Sequence, residues 1–239
     1  AVISAQDGGE DPWVSFANQR KTWGYTQDQL PTTHPIKAEI PDVDAARQNF
    51  DGITYAKGAA VLKQLVHYVG RDNFYAGARD YFQEHAFAAA TFDDLLKALK
   101  KHTDRDLDAW SQAWLRTWGP DTLIPELHTE GEKIAELAIL AEAEDVCRPH
   151  RLTASLFDAD LHKYREIDID LPAGDDTTRT IIDEAAGLPA PELLLLNDAD
   201  HTYAKIRFDD TSLETAGNRL TEIEDDLTRA IIWTALWNL

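Results

Sequence analysis

Apolar residues recur at helical spacing through the first half of the chain, up to Pro120. The clearest stripe begins just after Tyr55 and ends at Gly70, a residue type that commonly terminates helices. Between residues 29 and 51 the pattern is lost and three prolines occur, which predicts an irregular segment. The pattern as a whole predicts helices over residues 11–25, 56–70, 72–82, 92–101 and 106–117.

After Gly119 and Pro120 the period of the apolar pattern changes to two. Short alternating segments, separated by clusters of Asp, Gly and Pro, predict strands near residues 133–141, 151–157, 164–171, 179–182, 192–196 and 203–208. Six short strands in this span favour a small β-sandwich. Helical spacing returns at Ser212, and the last predicted helix, over residues 226–239, has a broad apolar face for which we expect no packing partner within the chain.

Length and charge distribution bear on the domain organisation. A chain of 239 residues exceeds the usual size of one domain. Most of the net charge of −20 lies after Pro120, which fits a domain boundary there, although the same carboxylates also fit a solvated face. We predict a multidomain α and β protein with a helical unit over 1–119, a β-sandwich over 120–210 and further helices over 211–239.

The bulk composition limits the classes of partner. A net charge of −20 argues against nucleic acid, because binding to a phosphate backbone needs a basic surface. No apolar stretch is long enough to cross a bilayer, so we expect no membrane partner. A single cysteine, Cys147, excludes an internal disulfide and is typical of a reducing compartment, which favours a cytoplasmic protein.

Common catalytic motifs are absent from the sequence. The eight histidines are scattered, and none belongs to an H-E-x-x-H pair, so no zinc site is encoded. The chain also lacks a G-x-S-x-G elbow, a P-loop and a G-x-G-x-x-G motif, which leaves hydrolase triads, NTPases and dinucleotide enzymes without support. Of the eight histidines, only His34, in the irregular segment, is considered for a functional role. The alternative is that His34 orders the loop.

The phenol of Tyr55 is the candidate catalytic group. Asp51 and Gly52 are turn formers, so Tyr55 is predicted to lie where a loop enters an apolar helix. A hydrogen-bond donor in that position suits the stabilisation of a developing negative charge. Spacing alone favours the alternative, a half-buried ring whose hydroxyl contacts water or a backbone carbonyl.

The surrounding sequence resembles a known family. The motifs are WGYTQDQLPTTHPI (residues 23–36) and NFDGITYAKGA (49–59), followed by VGRDNF (69–74), RDYF (79–82), DL (106–107) and WLRT (114–117). In the strand-rich part RPHRL (148–152) and LND (196–198) continue the match. With these motifs the chain resembles the aminopeptidase N family of zinc metallopeptidases, the gluzincin aminopeptidases, and most closely their actinobacterial type.

The resemblance implies a fold and two site residues. The expected fold is the all-helical second half of a thermolysin-like catalytic domain, then the β-sandwich, then the start of an α-helical C-terminal domain. A tyrosine in the position of Tyr55 stabilises the tetrahedral oxyanion, and a residue in the position of Phe50 often lines the first specificity pocket. In the family an H-E-x-x-H helix and a downstream Glu hold the zinc ion, and both precede this tyrosine.

The resemblance therefore implies a zinc-dependent aminopeptidase that removes N-terminal residues from peptide substrates, of which this chain is a fragment. We expect zinc in the full-length parent but none in the fragment, which we expect to be inactive because the zinc motif is absent. We also expect self-association through surface exposed by truncation. The alternative is a non-catalytic helical and β-sandwich interaction module that derives from such a peptidase.

Overall fold

The computed structural model describes residues 11–239, and the first part of this range is helical. The elements are helix α1 (Pro12–Ser15), a π-helical turn (Phe16–Lys21), α2 (Thr22–Asp28), α3 (Val43–Gln48), a second π-helical turn (Ile53–Lys57), α4 (Gly58–Val69), α5 (Arg71–Glu84), α6 (Phe92–Leu99) and α7 (Leu107–Leu115). The helices predicted over this range are confirmed, with differences of a few residues at their ends.

Side chains at the helix N-termini explain where several of these helices begin. The Asp11 carboxylate accepts a hydrogen bond from the backbone N–H of Trp13 at 2.9 Å, just ahead of Pro12. Thr91 and Asp94 exchange the reciprocal hydrogen bonds of a capping box at the start of α6. These contacts satisfy backbone groups that the first turn of a helix leaves without an intrahelical partner.

Helix α3 was not predicted, because residues 29–51 were expected to be irregular throughout. Its N-terminus has a clear cap, since the Asp42 carboxylate accepts a hydrogen bond from Ala45 N at 2.8 Å. Val43, its first residue, is 69% exposed, so the helix has no apolar stripe facing a core. A helix without such a stripe gives no hydrophobic period to detect.

The second part of the chain contains two β-sheets and two helices. The strands are β1 (Asp121–Glu130), β2 (Lys133–Glu142), β3 (His150–Phe157), β4 (Lys163–Leu171), β5 (Thr177–Ile181), β6 (Leu193–Leu196) and β7 (Ala204–Ile206), and the helices are α8 (Asp210–Arg219) and α9 (Asp226–Trp237). One sheet has the order β5-β2-β1-β7 and the other β4-β3-β6. The fold is mixed α and β, as predicted, while the boundaries at 119/120 and 210/211 stay predictions.

Strand β1 was missed because Pro125 lies in its middle. Proline lacks the N–H that a strand paired on both sides requires. In the structure β1 pairs with β2 along its length. Its pairing with β7 covers only Asp121–Leu123 and therefore ends before Pro125. The proline therefore lies where it breaks no hydrogen bond to β7.

The two sheets share one apolar core. Leu123 and Leu137 of the first sheet belong to the same buried cluster as Leu152 and Ile167 of the second. Strand β6 is buried on both faces, because Leu194 and Leu196 join this cluster whereas Leu193 and Leu195 join another one with α8 and α9. An uninterrupted run of leucines is what a strand covered on both faces requires.

The expectation that the last helix has no packing partner was wrong. In α9 the side chains of Ile231 and Ile232 are buried in one cluster with Ala17 of the first π-helical turn and Leu195 of β6. Asp225 caps its N-terminus by accepting a hydrogen bond from Thr228 N at 2.7 Å. The pattern of a single helix could not show these partners, because they belong to other elements of the chain.

Candidate active-site turn around Tyr55

Tyr55 lies in the π-helical turn Ile53–Lys57, which leads directly into α4. The backbone N–H of Gly58 donates to the carbonyl of Ile53, five residues earlier, which is the hydrogen bond that defines this widened helix. The side chain of Tyr55 is 49% exposed. The predicted position at the entrance to an apolar helix is confirmed, although sequence spacing did not indicate the widened turn.

Asp51 caps the turn from its N-terminal side. One carboxylate oxygen accepts hydrogen bonds from Ile53 N at 3.1 Å and from Thr54 N at 2.9 Å. The other lies 2.7 Å from His34 Nε2, while His34 Nδ1 lies 2.8 Å from the carbonyl oxygen of Pro35. His34 thus connects the proline-containing loop to the Tyr55 turn, in agreement with the loop-ordering alternative.

Gly52 allows α2 to approach the turn closely. Its N–H donates to the side-chain carbonyl of Gln27, and its residue surface is buried. A Cβ atom at this position would lie 2.7 Å from Gln27 Oε1 and 3.0 Å from the Trp23 carbonyl oxygen. Glycine is required here by space rather than by backbone conformation.

An ion pair anchors the inner side of the turn. Lys57 Nζ lies 2.8 Å from Asp28 Oδ2, and both side chains are completely buried. Asp28 Oδ1 accepts hydrogen bonds from Thr33 Oγ1 at 2.7 Å and from Gly119 N at 3.0 Å. Burial lowers the pKa of Lys57 to about 8, against the opposing effect of the Asp28 carboxylate.

Sequence analysis missed Lys57 and Asp28 as parts of this site. Charged residues at the start of an apolar helix are normally read as solvated. The structure shows Lys57 between the buried residues Ala56 and Ala60, on the side of the turn that faces the core.

Two cavities meet at the Tyr55 ring. One, of about 640 Å³, is lined by Ile36, Thr54, Leu62, Phe92 and Leu115 among others. The other, of about 400 Å³, is lined by Phe16, Arg20, Trp23 and Phe50. Both cavities have mainly apolar walls, so the Tyr55 hydroxyl is a polar group presented at the edge of apolar surface.

Phe50, the second residue singled out from the sequence, lies beside Tyr55. The two ring centroids are 4.6 Å apart and the rings are inclined by 60°, an edge-on contact. Phe50 is 72% exposed, so its position owes little to burial in a core. The structure thus brings the two candidate residues together at the mouth of the smaller cavity.

The described residues contain no arrangement suited to a metal ion. Across 11–239, no group of three or more His, Cys, Asp and Glu side chains is placed to hold one. His150 Nε2 contacts Asp121 at 2.8 Å and His102 Nε2 contacts Asp80 at 2.7 Å, so each of these histidines contacts a single carboxylate.

Comparisons with known proteins connect this turn to a family. Residues 2–114 match the Peptidase family M1 domain. Aminopeptidase N of Streptomyces lividans is 44% identical over an alignment that covers the whole of this chain and 29% of that protein. The chain belongs to the aminopeptidase N family.

Other relatives match smaller parts of the chain. Tricorn protease-interacting factor F2 of Thermoplasma volcanium is 31% identical over 52% of this chain and 16% of its own length. Aminopeptidase 2 of Candida albicans is 26% identical over 69% of this chain and 19% of its own length. The chain thus spans less than a third of the relatives it matches.

No helix within residues 11–239 combines the length and apolarity needed to cross a bilayer.

Proposed function

We propose that this chain is the part of an aminopeptidase that supplies Tyr55 to the catalytic site, where the phenol stabilises the oxyanion formed at the N-terminal peptide bond of a peptide substrate. The observation that supports this role is the half-exposed phenol on a turn held from three sides, by Asp51, Gln27 and Asp28. A group whose surroundings fix it in place needs no reorganisation when charge develops.

The chemistry of the phenol suits the role. Attack on a peptide carbonyl turns a neutral oxygen into an oxyanion, which is stabilised most by a donor already aimed at it. A phenol carries one O–H donor and keeps its proton at neutral pH. The mainly apolar walls of the two adjacent cavities lower the local polarity beside the phenol, which strengthens such a hydrogen bond.

Family membership also supports zinc in the full-length protein, since the resemblance implies a zinc peptidase. Residues 11–239 do not fit a zinc site, because they place no group of three ligating side chains together. We therefore assign the metal to other parts of the full-length protein and derive no step of the reaction through it.

Replacement of Tyr55 by phenylalanine in the full-length protein tests the proposal. We expect Tyr55→Phe to lower kcat by about 10² to 10³, the usual cost of one oxyanion donor. Tyr75→Phe is the matched control, because Tyr75 is 47% exposed on α5 and lies outside both cavities at Tyr55. Unchanged turnover of Tyr55→Phe would contradict the proposed role, and a wild-type parent without peptidase activity would support the non-catalytic alternative.

For the isolated chain we propose self-association through the surface formed by Tyr55 of the π-helical turn and Leu62 of α4. These side chains are 49% and 44% exposed, and Phe50 beside them is 72% exposed. Adjacent exposed apolar side chains favour association with a second apolar surface. Sedimentation velocity over a range of concentrations tests this, and a monomer at every concentration would contradict it.

A further inference from the structure

We infer that Lys57 is a positioning residue, which together with Asp28 fixes the direction of the Tyr55 phenol by locking the π-helical turn against the end of α2. This inference rests on the proposed function, because it concerns the group that we assign to the oxyanion. The family resemblance implies no role for either residue, and the geometry of the turn supports this one.

Lys57 and Tyr55 face opposite sides of the same turn. Residues two apart on a helix point in nearly opposite directions. Accordingly the Lys57 side chain is completely buried, whereas that of Tyr55 is 49% exposed at the two cavities. A side chain fixed on the inner face therefore sets the rotation of the turn about its axis, and with it the direction of the phenol on the outer face.

The acceptor for Lys57 is itself held by three separate segments. Asp28 ends α2, and its carboxylate also accepts hydrogen bonds from Thr33 of the following loop and Gly119 of the segment before β1. The ammonium of Lys57 donates back to the Gly119 carbonyl at 3.3 Å and lies 5.7 Å from the centre of the Tyr203 ring. Lys57 thus reaches a rigid junction rather than one mobile side chain.

Stability alone does not explain a charged pair in this place. The free energy needed to remove two charges from water often exceeds the free energy gained from their attraction. A protein with apolar side chains of similar volume in place of a buried ion pair is commonly as stable. What a buried pair does provide is one allowed geometry. The widened turn has a competitor, an ordinary α-helical turn, in which Tyr55 would be rotated about the axis. Contact between Lys57 and Asp28 favours the widened turn.

The test is a double-mutant cycle in the full-length protein. Lys57→Met keeps the length of the side chain and removes its charge, and it is made both in the wild type and in Tyr55→Phe. We expect Lys57→Met alone to lower kcat by about 10- to 100-fold with KM within about twofold, the signature of a misplaced catalytic group. In the Tyr55→Phe background the same change should lower kcat by less than about twofold, because the group it positions has been removed.

Lys21→Met is the matched control. Lys21 forms a buried ion pair with Asp200, at 4% and 0% side-chain exposure, and donates to the Thr202 carbonyl, and neither acceptor belongs to the Tyr55 turn. Its loss should lower thermal stability without the fall in kcat. If Lys57→Met does not fold, the variant Lys57→Met with Asp28→Asn leaves no unpaired buried charge and is expected to show the same loss of kcat.

The outcomes separate this inference from the proposed function. Unchanged turnover of Tyr55→Phe alone contradicts the role of Tyr55. If Tyr55→Phe lowers kcat and Lys57→Met lowers kcat by the same factor in the wild type and in Tyr55→Phe, only the positioning role is overturned. The positioning role is also overturned if Lys21→Met lowers kcat as much as Lys57→Met does.

Discussion

His67 and His201 stack face to face, with ring centroids 3.6 Å apart and planes inclined by 16°. His67 lies on α4 and His201 in the loop between β6 and β7, so the stack joins the helical part to the sheets. Burial lowers the pKa of His201 to about 3, with further contributions from His67 and Lys63. Burial also lowers the pKa of His67, and Arg151 adds to the effect. The folded chain therefore favours the neutral form of both rings at neutral pH.

The histidine stack predicts acid sensitivity. When folding lowers the pKa of a histidine, the unfolded chain takes up a proton at a higher pH than the folded chain does. The free energy of unfolding therefore decreases as the pH falls below about 6.5. The nearby carboxylates of Asp168, Asp170 and Asp200 oppose the shift but do not reverse it. Urea unfolding of the isolated chain at several pH values between 7 and 4 measures the slope.

Replacement of His201 by phenylalanine keeps a flat ring in the stack and removes one titrating group. We expect the slope of the free energy of unfolding against pH to be shallower in His201→Phe than in the wild type over the same range. Equal slopes in the two proteins would show that acid sensitivity comes from other groups.

Asp121 is the centre of a second buried junction, and its loss should be costly. It accepts hydrogen bonds from Arg148 N at 2.7 Å and His150 Nε2 at 2.8 Å, and it pairs with the Arg148 guanidinium. We expect Asp121→Asn to reduce the free energy of unfolding by about 3–5 kcal/mol, because it leaves a buried charge unpaired.

Asp168→Asn is the control for Asp121→Asn. Asp168 is 63% exposed and lies 3.9 Å from Arg151, so its change should cost less than about 1 kcal/mol. Chemical denaturation of the three proteins at neutral pH provides the comparison. Equal losses for the two variants would contradict the importance assigned to the buried junction.

The sequence predicted those parts of the fold that leave a local pattern. The main helices, the apolar stripe of α4 and six of the strands could be recognised because each depends on residues close together in the chain. Strand β1 was missed because a proline in the middle of a segment argues against a strand. The pairing of β1 with β7 ends at Leu123, before Pro125, and this could not be known from the sequence. Helix α3 was missed because it has no apolar face.

The candidate site divides in the same way. Tyr55 and Phe50 could be singled out from motif resemblance, and the structure places them side by side. Lys57 and Asp28 could not, because their pairing links residues 29 positions apart and both charges are buried. A charged residue in a local sequence pattern is normally assigned to the surface. A charge is buried only where an oppositely charged partner lies beside it, and that partner is identified only in the folded chain.

Gly77 permits close packing of α5 against α6. A Cβ atom at this position would lie 2.8 Å from Leu99 Cα, a backbone atom that cannot move aside cheaply. We expect Gly77→Ala to lower the free energy of unfolding by about 1–3 kcal/mol. Gly217→Ala in α8 is the control, because no atom lies within 4 Å of its Cβ position, and it should raise stability by about 0.5–1 kcal/mol. A stabilised Gly77→Ala would contradict the packing argument.

Phe50 offers a test of how the smaller cavity is used. We propose that its exposed ring beside Tyr55 contacts the side chain of the substrate's first residue, as the family resemblance implies. Phe50→Ala in the full-length protein should then lower kcat/KM for a leucyl anilide by about 10-fold more than for an alanyl anilide, because only the larger side chain loses apolar contact. Phe82→Ala is the matched control, since Phe82 is 71% exposed on α5 and lies outside this cavity. At 72% exposure, Phe50 contributes little to folding, so thermal unfolding of both variants should match the wild type. An unchanged ratio of the two kcat/KM values would show that the first residue of the substrate binds elsewhere.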